Sequence, residues 1–172
     1  CHRPSTEALA PHFSVMNPFK THYVREMCEK DPVAYGRHHS QEIRIARRQV
    51  RTGLMDLQKD ASAWCALYDH LIDKHRLTGL HAFPAAHHRA LAAMEGITAI
   101  GAWLKDELVS AHVWASDGKY AHSHLAASSE EGYRARAAYA VNDFTLRHFS
   151  GAEILNFGGG AGTADDAEGG LA

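Results

Sequence analysis

The sequence has little cysteine, little proline and no long apolar run, and each shortage excludes something. Among 172 residues there are three cysteines, Cys1, Cys28 and Cys65. They are scattered and form no CxxC pair, so neither a disulfide framework nor a cysteine zinc motif is expected. The expected state is free thiols in a reducing cytoplasm. No apolar run approaches the roughly 18 residues that span a bilayer, and no basic-then-apolar leader opens the chain. Four of the five prolines, Pro4, Pro11, Pro18 and Pro32, fall before residue 36. They interrupt any long helix, so residues 1–36 are expected to be irregular, with a short strand over Phe19–Val24. A large charge of one sign is also missing. The net charge of -2 argues against a protein built to coat nucleic acid. The chain starts at Cys1 and finishes on Gly169-Gly170-Leu171-Ala172, and both ends read as cut from a longer protein.

What is abundant is histidine, with 14 residues. The doublets His38-His39 and His87-His88 and the pair His122/His124 invite a metal reading. An H-x-H on a strand sets both imidazoles on one face. None of these has the HExxH form, and no carboxylate stands near them at ligand spacing, so no metal is expected.

Periodicity divides the rest. Residues 38–49 read as a helix through Ile43, Ala46 and Val50, with arginines crowding its other positions and Ser40 as its cap. That basic helix is either a solvated face or a surface for a phosphate-rich partner such as tRNA. Gly53 closes it, and a short strand Leu54–Leu57 follows. Asp60 or Ser62 caps a helix over 61–76, with Gly79 as its stop. A third helix, 84–94, opens at Pro84 and buries Leu91 and Met94.

The period then changes. Ile97–Leu104, Leu108–Ala115 and Tyr120–Ala126 read as a three-stranded meander, its second hairpin closed by Asp117-Gly118 in a type I′ turn. Tyr120, His122, His124 and Ala126 fall on one face; Ala121, Ser123 and Leu125 fall on the other. Ser128 and Glu131 form a capping box that opens a long helix to Phe149. Glu153–Phe157 is a last strand that runs into Gly158-Gly159-Gly160. Strand, helix, strand implies a right-handed crossover, so this last strand lies parallel to the third strand of the meander. The fold class is α/β (α+β), a mixed sheet with helices on both faces.

Two places on this frame suit a ligand. The helix start at Ser128, Ser129 and Tyr133, with Arg134 and Arg136 one turn in, presents free N–H groups and positive charge to an anion. The alternative is that these arginines are solvated or paired with Glu130 and Glu131. The glycines at 158–160 sit at the carboxyl end of a parallel strand, where open α/β sheets bind ligands. They do not match a nucleotide P-loop. No GxSxG is present, so acid–base work falls to a histidine of the sheet, His122 or His124, unless those are simply packed there.

These residues resemble the GNAT acyltransferase fold, in which a meander, a helix with an anion-binding start and a parallel strand form the acyl-CoA unit. Gly101–Leu104 through Ser110–Val113 resembles its hairpin. His122-Ser123-His124-Leu125-Ala126-Ala127-Ser128, the long helix and Ile154-Leu155-Asn156-Phe157-Gly158-Gly159-Gly160 resemble the FemAB-like branch. That branch includes peptidoglycan-bridge aminoacyltransferases and acetyltransferase-like proteins found near polysaccharide genes. His38–Arg47 resembles the helix that opens its acceptor half. The resemblance covers about residues 37–163. It lacks the Q/R-x-x-G-x-G/A pyrophosphate loop and the phenylalanine-lysine segment after the glycines. It implies a GNAT-like domain over 37–163, a remnant of a preceding unit in 1–36 and a mobile tail at 164–172. The implied activity is transfer of an acyl or aminoacyl group, from acyl-CoA or aminoacyl-tRNA, to a small-molecule or cell-wall or polysaccharide amine. His124, His122 and Asn156 are the implied catalytic residues. Ser128, Ser129, Tyr133, Arg134, Arg136, Phe157, Gly158, Gly159 and Gly160 are the implied donor contacts. A non-catalytic module that keeps the fold without the donor site is the alternative.

Overall fold

The computed structural model describes residues 7, 10–15, 21–27 and 34–159. Cys1, Cys28, Phe19-Lys20, Gly160 and the tail lie outside the described residues. In chain order the elements are β1 (Val24–Glu26), α1 (Arg37–Gln49), β2 (Arg51–Met55), α2 (Ala61–His75), α3 (Ala85–Ala92), β3 (Ile97–Leu104), β4 (Glu107–Ser116), β5 (Tyr120–Ser128), α4 (Glu130–Arg134), α5 (Ala137–His148) and β6 (Ile154–Asn156). The strands form one six-stranded sheet in the order β1-β6-β5-β4-β3-β2. The meander β3-β4-β5 is present, and β6 lies parallel to β5 as the crossover rule requires. The edge strand β1 pairs antiparallel with β6.

Helices cover both faces. On one, Ala46 of α1, Val50 just after it, and Ala137, Ala140, Val141 and Leu146 of α5 pack with Ile100, Val109, Trp114 and Leu155 of the sheet. On the other, Trp64, Leu67 and Tyr68 of α2 pack with Ala99, Ala111, Val113 and Ala127. Each fully buried Leu, Ile or Val contributes roughly 1.5–3 kcal/mol, so these two layers hold the sheet between them.

Local expectations shift where a tertiary contact or a neighbouring residue competes. The strand expected over Phe19–Val24 forms at Val24–Glu26, where β6 offers a partner. Gly36, not Ser40, precedes α1; Ser40 lies inside the helix, its hydroxyl donating to the Tyr35 carbonyl at 3.3 Å. Gly53 does not end a unit, because it pairs with Gly101 inside β2. Arg76, in the left-handed region at φ 50°, stops α2 ahead of Gly79. Met94 is exposed beyond the end of α3. At the second hairpin only Gly118 has positive φ (90°), so the turn is not type I′. The Asp117 carboxylate instead accepts from the N–H groups of Lys119 and Tyr120, a local alternative to the backbone turn.

Two differences matter for the site. The long helix is two helices. Arg136 adopts φ 57° between α4 and α5, and its Nε meets Glu42 of α1 at 2.6 Å. The cap is Ser129, which accepts from the Gly132 N–H at 3.1 Å, while Ser128 is buried in β5 and bonded to Ser110 at 2.8 Å. The second difference is a bulge. Val113 pairs with Leu125 and Trp114 with Ser123, which leaves His124 as an extra residue in β5. The alternation therefore breaks there: Ala121 joins the α1/α5 layer, while Leu125 packs on the α2/α3 layer.

Candidate active site

The β5–β6 seam is short. It holds three pairs, Tyr120–Ile154, Ala121–Leu155 and His122–Asn156. Past Asn156 the chain turns its hydrogen bonds the other way. The Phe157 N–H donates to Tyr23 and the Tyr23 N–H donates to Gly158, at 2.8 and 2.9 Å. Gly158 has φ 80°, and its N–H is held by the Asn156 side chain at 2.9 Å. β5 meanwhile continues to Ser128, paired with β4 alone. The two parallel strands thus part at His122 and Asn156, and the bulge at His124 lies at that opening.

Histidines collect there. His22, just before β1, stacks on His122 with ring centroids 5.9 Å apart, and the Asn156 side chain lies within 3.2 Å of His22 Nδ1. His124 faces His87 of α3, Nε2 to Nε2, at 3.3 Å. The His87 ring stacks on Phe83 at 4.1 Å. Burial first, then the neighbouring histidine charges, lower the pKa of His122 and of His124. Both rings therefore stay neutral at neutral pH, and a neutral imidazole is a proton acceptor. Among the described residues no group of three or more His, Cys, Asp or Glu side chains is arranged to hold a metal ion.

Two other histidines are fastened into the core. His88, next to His87 but turned inward by the helix, accepts the Trp64 indole N–H on Nδ1 at 3.0 Å. Burial lowers its pKa. His112 of β4 has Nε2 at 2.6 Å from the Ser123 hydroxyl. Burial pushes its pKa down to about 4. A serine next to a histidine has the look of a nucleophile and its base, but a ring whose protonated form burial disfavours this far is a poor base. The pair fixes β5 to β4 at the opening.

The expected anion site is populated by carboxylates. Glu130 and Glu131 stand in the first turn of α4. Arg134 pairs with Glu131 at 3.3 Å and Arg136 with Glu42. Lys74 of α2 bonds Glu130 at 2.8 Å and lies over the Tyr133 ring at 3.9 Å. So His122, Asn156, Phe157 and Gly158 gather at the opening with His124, while Ser128, Ser129, Tyr133, Arg134 and Arg136 gather at the start of α4; Gly159 follows Gly158 and Gly160 is outside the described residues. Sequence reasoning noted His87 only as half of a doublet and placed neither His22 nor His87 here, because both arrive through tertiary contacts. It also missed Gly132, where a Cβ would come within 2.1 Å of the Val109 carbonyl oxygen. The signal available for Gly132 was its place three residues past a capping serine.

No family model matches the chain, and no curated protein matches it. Solved structures do. One is the C-terminal DUF2156 domain of a protein classed as a lysylphosphatidylglycerol synthetase, from Agrobacterium fabrum. It matches with a TM-score of 0.65 at 13% identity over 83% of this chain and 47% of that one. FemX matches with a TM-score of 0.60 at 12% identity over 77% of this chain and 50% of that one. An aminoglycoside acetyltransferase from an uncultured soil metagenomic sample, solved with sisomicin, matches with a TM-score of 0.52 at 12% identity, over 70% and 82%. The chain thus spans about half the length of the first two. The fold is GNAT/FemAB-like.

Proposed function

We propose that the chain is an N-acyltransferase that moves an acyl or aminoacyl group from acyl-CoA or aminoacyl-tRNA to an amine. The observation that carries this reading is the parting of β5 and β6 at His122 and Asn156, next to neutral histidines. The acyl carbonyl is proposed to sit in that opening, between β5 and the Asn156–Gly158 segment, where strand edges without a strand partner can align it with the amine. The amine loses a proton as it attacks; His124, with His122 beside it, accepts that proton. The phosphate end of the donor is proposed at Ser128–Arg136. There Arg134 and Arg136, both substantially exposed, would exchange Glu131 and Glu42 for phosphate. The acceptor is proposed as a small-molecule, cell-wall or polysaccharide amine.

The second reading is a binding module without transfer. Its support is the occupied state of both arginines and the two glutamates in the first turn of α4, which oppose an anion. One set of measurements separates the two. The protein is incubated with acetyl-CoA, longer acyl-CoA or aminoacyl-tRNA and a panel of primary amines, and products are read by mass spectrometry. Transfer that falls on the order of a hundredfold in His124→Gln supports the enzyme. Donor binding by calorimetry argues against the module, which lacks the donor site. Binding of neither CoA nor aminoacyl-tRNA sinks the enzyme and supports the module.

A further inference from the structure

The proposed reaction needs somewhere to send a proton, and His124 alone is a dead end. It sits on a bulge, partly buried, and holds only one proton beyond its neutral form. Its Nε2 is 3.3 Å from the Nε2 of His87. Two bare nitrogens would repel at that distance, and so would two N–H groups. One ring therefore carries its proton on Nε2 and the other on Nδ1. Within the chain, neither Nδ1 has a hydrogen-bond partner among the described residues. His87 is clamped in plane, its ring 14° from parallel with Phe83.

We propose that His87 and His124 act as one two-imidazole proton relay, resting on the acyl-transfer reading, in which His87 positions and discharges His124. In the resting state His124 carries its proton on Nε2 and donates it to the bare Nε2 of His87, whose own proton is on Nδ1. The amine proton goes to the bare Nδ1 of His124. The Nε2 proton of His124 passes to Nε2 of His87, and the Nδ1 proton of His87 leaves to water. One proton enters and one leaves; no net charge is stored in the partly buried site. Rotation of the rings or return of the protons through solvent resets the pair. The groups that face this pair are His122, with His22 behind it, on the strand side and His88, with Asp69 of α2 behind it, on the helix side. Apart from Asp69 these are histidines, and their charges oppose a second proton on the pair.

The experiment is side-chain 1H–15N NMR of the histidines across pH, on the whole protein, with His87→Gln and His124→Gln used for assignment. The expected result is an Nε2–H tautomer for His124 and an Nδ1–H tautomer for His87. In His87→Gln the titration of His124 moves up toward the ordinary histidine value, because a second imidazole that would share and oppose its added charge is gone. If glutamine at 87 prevents folding, His87→Asn serves instead. The same tautomer in both rings, or a His124 titration unchanged by the substitution, overturns the relay. These readouts need no substrate, so they stand apart from the acyl-transfer reading. Where transfer is measurable, His87→Gln lowers kcat about tenfold at constant KM, and its acidic limb shifts to higher pH. An unchanged kcat and limb also overturns it.

Discussion

The two faces of the sheet treat polar groups in opposite ways. On the α1/α5 face the buried carboxylates and His112 are tied off inside the chain, although the indole N–H of Trp114 in the same layer has no partner. Asp143 of α5, 4% exposed, accepts from Arg47 Nε at 3.0 Å, from Arg147 at 2.8 Å and from the Tyr35 hydroxyl at 3.1 Å. Glu42 takes Arg136, and His112 takes Ser123. Burial, followed by the Asp143 charge, pushes the Tyr35 hydroxyl up to about 12, so it remains a donor. On the α2/α3 face the aromatic residues pack, but His122 and His124 keep ring nitrogens that no described residue satisfies. Under the proposed function, the difference separates scaffold from site. A polar group completely bonded inside the chain has nothing left for a ligand, whereas one left half-satisfied at an opening does.

The strongest way to break the comparison is to untie the closed face. Asp143→Ala leaves two guanidinium groups and a phenol without their shared acceptor. Removing one partner of a buried ion pair costs about 3–5 kcal/mol, and the half-exposed arginines can turn to water, so a loss near the lower end, about 3 kcal/mol, is expected. Urea denaturation measures it. A loss below about 1 kcal/mol would mean that this face is not held by its carboxylate.

Acid tests the same face without a mutation. The folded pKa of His112, about 4, lies below its ordinary 6.5. Folding therefore favours the neutral ring. The stability it contributes is complete above pH 6.5 and is lost as pH falls through 6.5 toward 4. The loss between pH 7 and pH 5 is about 2 kcal/mol from this group alone. His88, His122 and His124 shift in the same direction and add to it. Denaturation midpoints at pH 7, 6 and 5 give the slope. In His112→Gln most of the slope disappears; if it persists, the acid sensitivity belongs to the open face and the comparison inverts.

How much of this was legible in the sequence follows from range. The meander, the parallel β6 and the crossover between them were legible, because period, turn residues and connection handedness are local or nearly so. The opening was legible only as glycines after a strand. The bulge at His124 was not, since reading faces by alternation assumes that no residue is extra. The break at Arg136 was hidden among alanines and arginines, which favour helix; a contact with Glu42, in another helix, sets it. Ser128, three residues before Glu131, read as the cap, but β5 runs two residues past Ala126 and takes Ser128 into the sheet, which leaves the cap to Ser129. His87 and His124 stand 37 residues apart, and no spacing rule pairs them.

The smallest expected effect is on the open face, and it gives the sharpest contrast. His122 is exposed, its main contact being a stack with His22, which is exposed as well. Neither ring supports the core, so His122→Gln should change stability at pH 7 by less than about 0.5 kcal/mol, as surface substitutions do. The sign reverses in acid. Burial and then the His22 charge lower the His122 pKa, so its protonated form is disfavoured in the fold. Removing it relieves that cost, and the variant should be slightly more stable than the parent at pH 5. Paired melts at pH 7 and pH 5 decide the matter. A variant that is clearly destabilised at pH 7, or that loses ground at pH 5, would show that His122 is bonded into the fold as His112 is.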